Sequence, residues 1–256
     1  MLIGSNIGSC SVNMAAIGLK SVAVEPFQAH VDIIRGSKNI NKHMSIHLVH
    51  GGVGENATTV ITKFVHGRSN YGSTMFVPNK KRELRRRLQQ KEDINQTLEI
   101  VTLEDILSVS EGVVPLLKLD CEGCEWEALL SAKSQLEKVQ MIKMEVNRPY
   151  LWSKYRDFST TRQLQFIEEQ GFYLFAEIYP DSNYYFQARP VSDLDLMFGG
   201  KLAPDSTFSY DLLDKYAKKI LSQKIRPHQH NVKSSPDIIA IRKEVYDKMA
   251  AYFLPS

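Results

Sequence analysis

Three carboxylates in the sequence each follow or end a short apolar run. Glu25 ends the run 22–24, Asp120 follows residues 116–119, and Glu145 lies near the end of residues 141–147. Short apolar runs of this kind are typical of buried parallel strands, and open α/β sheets bind their ligands at the carboxyl ends of the strands. Structural strands have little reason to end in acidic residues, so we expect these three carboxylates to serve a ligand site.

A glycine turn precedes Glu25 at a distance that suits a nucleotide. The turn is Gly4-Ser5-Asn6-Ile7-Gly8, and Gly4 and Glu25 are 21 residues apart. This is close to the ~20 residues between such a turn and the carboxylate that accepts from a ribose. The glycine turn alone could also be an ordinary turn at the start of a helix, with no ligand. Glu25 favours the nucleotide interpretation.

The residue types in the turn discriminate between nucleotides. A dinucleotide fingerprint has a bare glycine at its second position, where the backbone touches the pyrophosphate, but this sequence has Asn6 there. S-adenosylmethionine has a ribose and an adenine but no phosphate, so it tolerates the side chain. We therefore predict an S-adenosylmethionine site. Its predicted residues are Gly4, Ser5, Asn6, Gly8, Glu25, Pro26 and Gly52, the last in a glycine turn that would let the backbone approach the adenine.

The elements that must position these residues alternate between strands and helices. Such alternation predicts an α/β domain with a mostly parallel sheet. The predicted strands are residues 1–3, 21–25, 46–49, 116–119, 141–147, 172–178 and 237–242. The predicted helices are residues 9–17, 26–35, 102–107, 125–136 and 158–171, and residues 58–65 and 73–77 are predicted to form a hairpin.

Five motifs in order resemble a known family. They are Gly4 to Gly8, Val24-Glu25-Pro26, residues 101–107, Lys118-Leu119-Asp120-Cys121-Glu122-Gly123-Cys124-Glu125, and Met144-Glu145. Together they resemble the FkbM-type S-adenosylmethionine-dependent methyltransferases. The resemblance implies a Rossmann-like class I methyltransferase fold with a mostly parallel seven-stranded sheet. It also implies transfer of a methyl group to a hydroxyl oxygen, often of a carbohydrate or a natural product.

The first strand departs from the family pattern. The family turn is normally preceded by a full strand with Asp two residues before the first glycine, whereas this sequence has Leu2 there and only residues 1–3 before the turn. Strands usually have ~5 to 6 residues. We therefore expect a first strand that is truncated at its amino end, and an S-adenosylmethionine-binding domain with impaired catalysis is one alternative function.

Length and composition favour a single domain over residues 1–256. With 43% apolar residues the chain can bury a full α/β core. Residues 180–236 exceed the ~2 to 6 residues that join neighbouring elements, and they hold the aromatic run Tyr184-Tyr185-Phe186. This segment is predicted to be an inserted lid or a substrate-binding segment for a sugar. A surface excursion packed by its own aromatic rings is the alternative.

The basic segment 80–91 dominates the charge of the chain. It has seven basic residues and one acidic residue, a charge of +6, whereas the whole chain carries +3. Such a segment can attract nucleic acid, which makes a nucleic-acid methyltransferase the other alternative. However, no aromatic residue is interleaved for base stacking, and Leu84 and Leu88 at helical spacing favour a solvated helix. We therefore expect a small-molecule or glycan acceptor rather than nucleic acid.

Cysteine content and hydropathy bear on the compartment. The pair Cys121 and Cys124 has no second C-x-x-C for zinc, and its acidic neighbours oppose a reactive thiolate, so we interpret both as small buried packing residues. Three cysteines are too few for a disulfide framework, which favours a reducing compartment, the cytoplasm. No apolar stretch approaches the ~20 residues of a membrane span. A targeting segment upstream of the truncated strand would be invisible.

The chemistry of methyl transfer suggests roles for the carboxylates at the strand ends. The leaving thioether needs no proton, but the acceptor hydroxyl needs a general base or a divalent metal, and the sequence leaves both open. Asp120 is the first candidate for contact with the acceptor or a metal, and Glu145 is the second. Glu122 is expected either to cap the helix that starts near Gly123 or to take part in catalysis.

Overall fold

The chain folds into two compact units. The computed structural model describes residues 1–67, 70–78, 95–110, 112–145, 160–178, 187–190 and 237–253. Unit 1 comprises Met1–Gly112 and Leu117–Gln135, and unit 2 comprises Val113–Leu116 and Leu136–Ser256. No helix in the described part of the chain is both long and apolar enough to span a membrane.

Unit 1 contains eight strands and four helices among its described residues. The strands are β1 (Leu2–Ile3), β2 (Ser21–Glu25), β3 (Ile46–His50), β4 (Gly52–Val53), β5 (Thr58–Gly67), β6 (Asn70–Pro78), β7 (Asn95–Val101) and β8 (Leu117–Leu119). The helices are α1 (Ser9–Ala16), α2 (Gln28–Ile40), α3 (Leu103–Ser108) and α4 (Glu125–Ser131).

The first sheet of unit 1 is parallel and has the order β3-β2-β1-β8. β1 lies between β2 and β8, with Leu2 paired to Ala23 on one side and to Lys118 on the other. Both residues of β1 are buried, as a central strand requires. Because the strands are parallel, the carboxyl ends of β1, β2 and β8 meet at one edge.

Helices α1 and α2 pack on this sheet through small and branched apolar side chains. Ala15 of α1 and Ile34 of α2 form a core cluster with Ala23 of β2 and Ile46 of β3. On α2 the buried positions are His30, Val31 and Ile34, a spacing that places them on one face of the helix. Burial of this face fixes the position of α2 at the tip of β2.

The second sheet of unit 1 has the order β4-β7-β5-β6. β5 pairs antiparallel with both β6 and β7, and β4 pairs parallel with β7. Leu98 and Ile100 of β7 are buried and pack with Phe27 and Val60. The predicted hairpin is present as β5 and β6, whereas β7 was not predicted from the sequence.

Unit 2 holds the remaining described elements. They are β9 (Met141–Glu145), β10 (Phe172–Ile178), β11 (Gln187–Pro190), β12 (Asp237–Arg242), α5 (Thr160–Glu169), α6 (Lys243–Phe253) and a 3-10 helix (Leu136–Lys138). β12 pairs antiparallel with both β9 and β10, so β9 and β10 run in the same direction. β11 pairs antiparallel with β10.

Arg242, the last residue of β12, connects several elements of unit 2. Its guanidinium donates to the carbonyl oxygens of Val139 (2.8 Å), Gln170 (3.4 Å) and Leu136, and it lies 4.4 Å from the centre of the Phe172 ring. Burial lowers the pKa of Arg242 from its ordinary value, while Glu244 and Glu137 raise it. The guanidinium therefore links β12 to the 3-10 helix and to the residue after α5 through their carbonyl oxygens.

The strands follow the sequence prediction more closely than the helices do. All seven predicted strands occur, as β1, β2, β3, β8, β9, β10 and β12, and β4, β7 and β11 are additional. Helix α2 begins at Gln28 with Phe27 as its N-cap, so the prediction that Pro26 begins it was wrong. The predicted helix 125–136 is α4 followed by the 3-10 helix, and α6 was not predicted. Segment 80–91 and the insert 180–236, apart from β11, lie outside the described residues.

Candidate cofactor and active site

A cleft of unit 1 opens at the carboxyl ends of β1, β2 and β8. Its residues come from the Gly4 turn, the end of β2, the start of α2, the turn after β3 and the loop after β8. They are Ile3, Gly4, Asn6, Val24, Glu25, Pro26, His30, Gly51, Gly52, Val53, Asp120, Cys121, Glu122 and Cys124. The position agrees with the general rule that open α/β sheets bind ligands at the carboxyl ends of their strands.

The Gly4 turn is built by backbone conformations that few residues adopt. Gly4, Asn6 and Gly8 all have positive φ, at 73°, 53° and 85°. A Cβ atom on Gly4 would lie 1.9 Å from the carbonyl oxygen of Asp120, so both conformation and space require glycine there. Asn tolerates the left-handed region better than most side chains do. The turn thus holds the backbone of the β1 tip directly against the β8 tip.

Ser5 and Gly8 belong to the Gly4 turn but do not line the cleft. Ser5 is buried, and its hydroxyl donates to the carbonyl oxygen of Leu2 at 2.9 Å. Gly8 is the N-cap of α1, and its backbone carbonyl accepts from the Ser11 hydroxyl at 3.0 Å. Both residues therefore shape the turn and start the helix.

Glu25 is the buried carboxylate of the cleft, with 5% of its surface exposed. Its Oε2 accepts from the backbone N–H of Asn6 at 2.7 Å, and its Oε1 accepts from the backbone N–H of Phe27 at 3.1 Å. The ring Nδ1 of His30 lies 3.3 Å from Oε1. A carboxylate offers about four acceptor positions, so after these three contacts Oε2 retains one for a ligand.

Backbone contacts also fix the turn after β3 next to Glu25. The N–H of Gly51 donates to the Glu25 carbonyl oxygen at 3.1 Å, and the His50 ring Nε2 lies 3.2 Å from the Pro26 carbonyl oxygen. Gly52 begins β4 and lines the cleft. The first contact places the backbone of Gly51 beside that of Glu25.

Asp120 follows β8 and lines the cleft as a partly exposed carboxylate. Within β8 the side chains of Leu117 and Leu119 are buried, and that of Lys118 is on the opposite face. Lys118 and Asp120 therefore share a face, and Lys118 Nζ lies 2.6 Å from Asp120 Oδ2. The side chains of Lys118 and Asp120 are 23% and 39% exposed. Sequence reasoning missed Lys118, although strand alternation contains the signal.

The loop after Asp120 is held by a buried carboxylate and a disulfide. Glu125, the first residue of α4, is fully buried and accepts from the backbone N–H groups of Cys121 (3.0 Å) and Gly123 (2.9 Å). Cys121 and Cys124 are joined by a disulfide with a Cα–Cα distance of 5.5 Å. The interpretation of both as small buried packing residues was therefore wrong, since they are bonded and Cys121 is only partly buried.

Glu122 lies in the loop between β8 and α4, two residues after Asp120. Glu122 has a φ of 58°, a left-handed conformation, and it lines the cleft. Glu125 accepts from two backbone N–H groups of the same loop. The two roles expected for Glu122, helix capping and catalysis, both stay predictions.

A comparison with models of protein families identifies the family of this chain. The family model described as "Methyltransferase FkbM domain" matches residues 3–174, about two-thirds of the chain. The chain belongs to the FkbM methyltransferase family. This membership confirms the predicted family and the predicted class I methyltransferase fold.

The solved structures that are similar to this FkbM chain have low sequence identity to it. Three crystal structures of WbdD, one of them described as a bifunctional kinase-methyltransferase and one as monomeric, match at 12 to 13% identity with TM-scores of 0.37 to 0.38. Each match covers 98% of this chain and 58 to 62% of the WbdD chain. The chain thus spans about three-fifths of the length of these structures. A comparison with curated proteins found no match.

Six of the residues predicted for the FkbM site line the cleft, and three do not. Those in the lining are Gly4, Asn6, Glu25, Pro26, Gly52 and Asp120. Ser5 and Gly8 are residues of the turn that lie outside the lining, and Glu145 ends β9 in unit 2. His30 is a cleft residue that sequence reasoning missed, because nothing in the local pattern indicates that its ring reaches Glu25.

Proposed function

We propose that this chain is an S-adenosylmethionine-dependent O-methyltransferase that acts on a hydroxyl of a carbohydrate or a small natural product. The observation that carries the proposal is Glu25, a buried carboxylate that lines the cleft at the tip of β2 and retains one acceptor position. Membership of the FkbM family supports the reaction class. The hydroxyl acceptor follows from the resemblance and from the chemistry of the site.

The residues of the cleft fit the adenosyl part of this cofactor. Hydroxyl groups of a ribose donate hydrogen bonds, which suits the Glu25 carboxylate, whereas a phosphate would be repelled by it. Gly4 and Gly52 offer backbone at the two sides of Glu25, and Asn6 stands where a dinucleotide site needs bare backbone. When bound, S-adenosylmethionine supplies a methyl group attached to a positively charged sulfur.

Asp120 is the residue we assign to the methyl acceptor. Its Oδ2 contacts Lys118, and this contact orients the carboxylate while Oδ1 remains for the acceptor hydroxyl. In our proposal Asp120 accepts the hydroxyl proton, while the acceptor oxygen would take the methyl group from the sulfonium sulfur, which would leave as a neutral thioether. Glu145, at the end of β9, remains the second candidate for this role. A divalent metal bound by such carboxylates is the alternative to a general base.

Direct titration with S-adenosylhomocysteine tests the cofactor part of the proposal. We expect calorimetric binding to the intact chain and weaker binding to Glu25→Ala, by about 1.5 to 3 kcal/mol, because a hydrogen bond to a charged group has this magnitude. The matched control is Asp32→Ala, which removes an exposed carboxylate of α2 that pairs with Arg35 outside the cleft. Equal affinity of Glu25→Ala and Asp32→Ala would refute the assignment of Glu25.

A methyl-transfer assay separates the proposed function from its alternatives. Incorporation of labelled methyl into sugars or hydroxylated small molecules, with and without a chelator, reports acceptor class and metal dependence. Binding without transfer to any acceptor would favour the cofactor-binding domain with impaired catalysis. Transfer to RNA that is lost at high salt would favour the nucleic-acid alternative.

The cellular compartment of the protein is a separate question, on which the cysteines bear. Cysteine content led to the expectation of a reducing, cytoplasmic environment, but the Cys121–Cys124 disulfide weighs against it, because disulfides persist mainly in oxidising compartments. Thiol labelling immediately on cell lysis distinguishes the two. Protection of these two cysteines would place the protein in an oxidising compartment.

A further inference from the structure

His30 lines the cleft, and the proposed function gives it no role. It lies in the first turn of α2, is 7% exposed, and packs edge-on against the Phe27 ring with the ring centres 4.9 Å apart. Its ring Nδ1 is 3.3 Å from Oε1 of Glu25. Because an ionised carboxylate only accepts hydrogen bonds, Nδ1 must carry the hydrogen of this contact.

We propose that His30 is a positioning residue that holds the Glu25 carboxylate in the orientation that binds the ribose of the cofactor. This inference rests on the proposed function. Glu25 has donors from three places, namely the Gly4 turn, the start of α2 and the His30 ring. The first two are backbone N–H groups, so His30 is the donor that a side-chain substitution can remove.

The physical basis is preorganisation. A free glutamate side chain loses rotamer entropy when it is fixed, and a carboxylate fixed before binding avoids this loss at the moment of binding. Both side chains are more than nine-tenths buried, so their contact is little screened by water. The alternative is that His30 only fills space between α2 and β2.

The test compares two ligands that differ only at the ribose. One is S-adenosylhomocysteine, and the other is an analogue whose ribose lacks both hydroxyl groups. We expect His30→Leu to weaken binding of the first about tenfold and to leave binding of the second within about twofold, because only the first uses Glu25. A space-filling role predicts equal changes for both ligands, and equal changes would overturn the inference.

Two further variants make the result independent of folding defects. His30→Asn places an amide nitrogen where Nδ1 lies and should restore the discrimination between the two ligands, whereas His30→Gln should not. If His30→Leu does not fold, His30→Asn and His30→Gln are compared instead, by the ratio of their affinities for the two ligands. In the Glu25→Ala background, His30→Leu should cause no further loss of S-adenosylhomocysteine affinity.

Failure of the inference and failure of the proposed function give different results. If the unmodified chain does not bind S-adenosylhomocysteine, the proposed function fails. If it binds, but His30→Leu, His30→Asn and the unmodified chain discriminate equally between the two ligands, the proposed function stands and His30 is a packing residue.

Discussion

Glu25 and Asp120 are both carboxylates of the cleft, but their surroundings differ. Glu25 is 5% exposed and contacts three donors, whereas the Asp120 side chain is 39% exposed and contacts Lys118. A fixed carboxylate suits binding of neutral hydroxyl groups, because their positions do not change during the reaction. A partly exposed carboxylate with one occupied oxygen suits a group that gains and releases a proton.

The first prediction follows from this difference. Asp120→Asn should lower kcat by about 100- to 10,000-fold, the usual contribution of a general base, while S-adenosylhomocysteine binds with unchanged affinity. Single-turnover methyl transfer and calorimetry measure the two quantities. Asp32→Asn, at an exposed position of α2, is the control and should change neither. Full turnover by Asp120→Asn would remove Asp120 from the mechanism and leave Glu145 as the candidate.

At this scale the sequence predicts residues whose role depends on local position. Glu25 could be predicted because the distance from the glycine turn and the end of the strand are both visible in the chain. Lys118 was missed because residues 116–119 were interpreted as a uniformly buried run, although β8 buries only Leu117 and Leu119 around it. His30 could not be found, since its contact depends on where α2 begins and which face it buries.

At the scale of elements, the loop between β8 and α4 has two independent restraints. Glu125 accepts from two of its backbone N–H groups, and the Cys121–Cys124 disulfide closes a short ring around Glu122 and Gly123. The carboxylate acts in the folded state only. The disulfide also restricts the unfolded chain, so the two restraints have different thermodynamic effects.

The second prediction concerns reduction of this disulfide. The chain-entropy estimate for so short a ring is about 2 kcal/mol, so reduction or Cys121→Ser with Cys124→Ser should lower the unfolding free energy by about that amount. Because Glu125 still holds the loop, S-adenosylhomocysteine affinity should change by less than about 1 kcal/mol. Scanning calorimetry and titration measure these changes.

The control for this experiment is Cys10→Ser, since Cys10 is the exposed free cysteine of α1. It should alter neither quantity. A count of reactive thiols in the denatured, unreduced protein should give one of the three cysteines, Cys10. If all three react, the disulfide is absent and the loop depends on Glu125 alone.

Elements were predictable where hydrophobic pattern and turn chemistry agree. The seven predicted strands are short apolar runs that end at polar or glycine residues, and all occur. The capping box of α3, in which Thr102 accepts from the backbone N–H of Asp105, is also a local signal. By contrast, the polar residues of β7 and α6 carry weaker patterns, and both elements obtain their stability from neighbouring strands.

At the scale of the whole molecule, the cleft lies entirely within unit 1. Every lining residue belongs to Met1–Gly112 or Leu117–Gln135. A ligand that binds only the folded state stabilises the part of the molecule that forms its site. Cofactor binding is therefore coupled first to the unfolding of unit 1.

The last prediction uses this coupling. At a free concentration of S-adenosylhomocysteine about 100-fold above its Kd, the unfolding free energy should rise by about 2.7 kcal/mol, and Tm by about 5 to 11 °C for a chain of this size. If calorimetry resolves two transitions, the one that shifts should be that of unit 1, as reported by slower hydrogen exchange in β1, β2 and β8. A shift confined to β9, β10 and β12 would place the ligand outside the cleft.

Glu25→Ala gives the matched comparison at the same ligand concentration. A loss of about 1.5 to 3 kcal/mol in affinity reduces the stabilisation to between about 0.3 and 1.3 kcal/mol, because the ligand then only partly saturates the site. Asp32→Ala should retain the full shift, since its exposed carboxylate lies outside the cleft. An unchanged Tm of the unmodified chain at this excess of ligand would contradict a cofactor site at Glu25, whatever the acceptor of the methyl group.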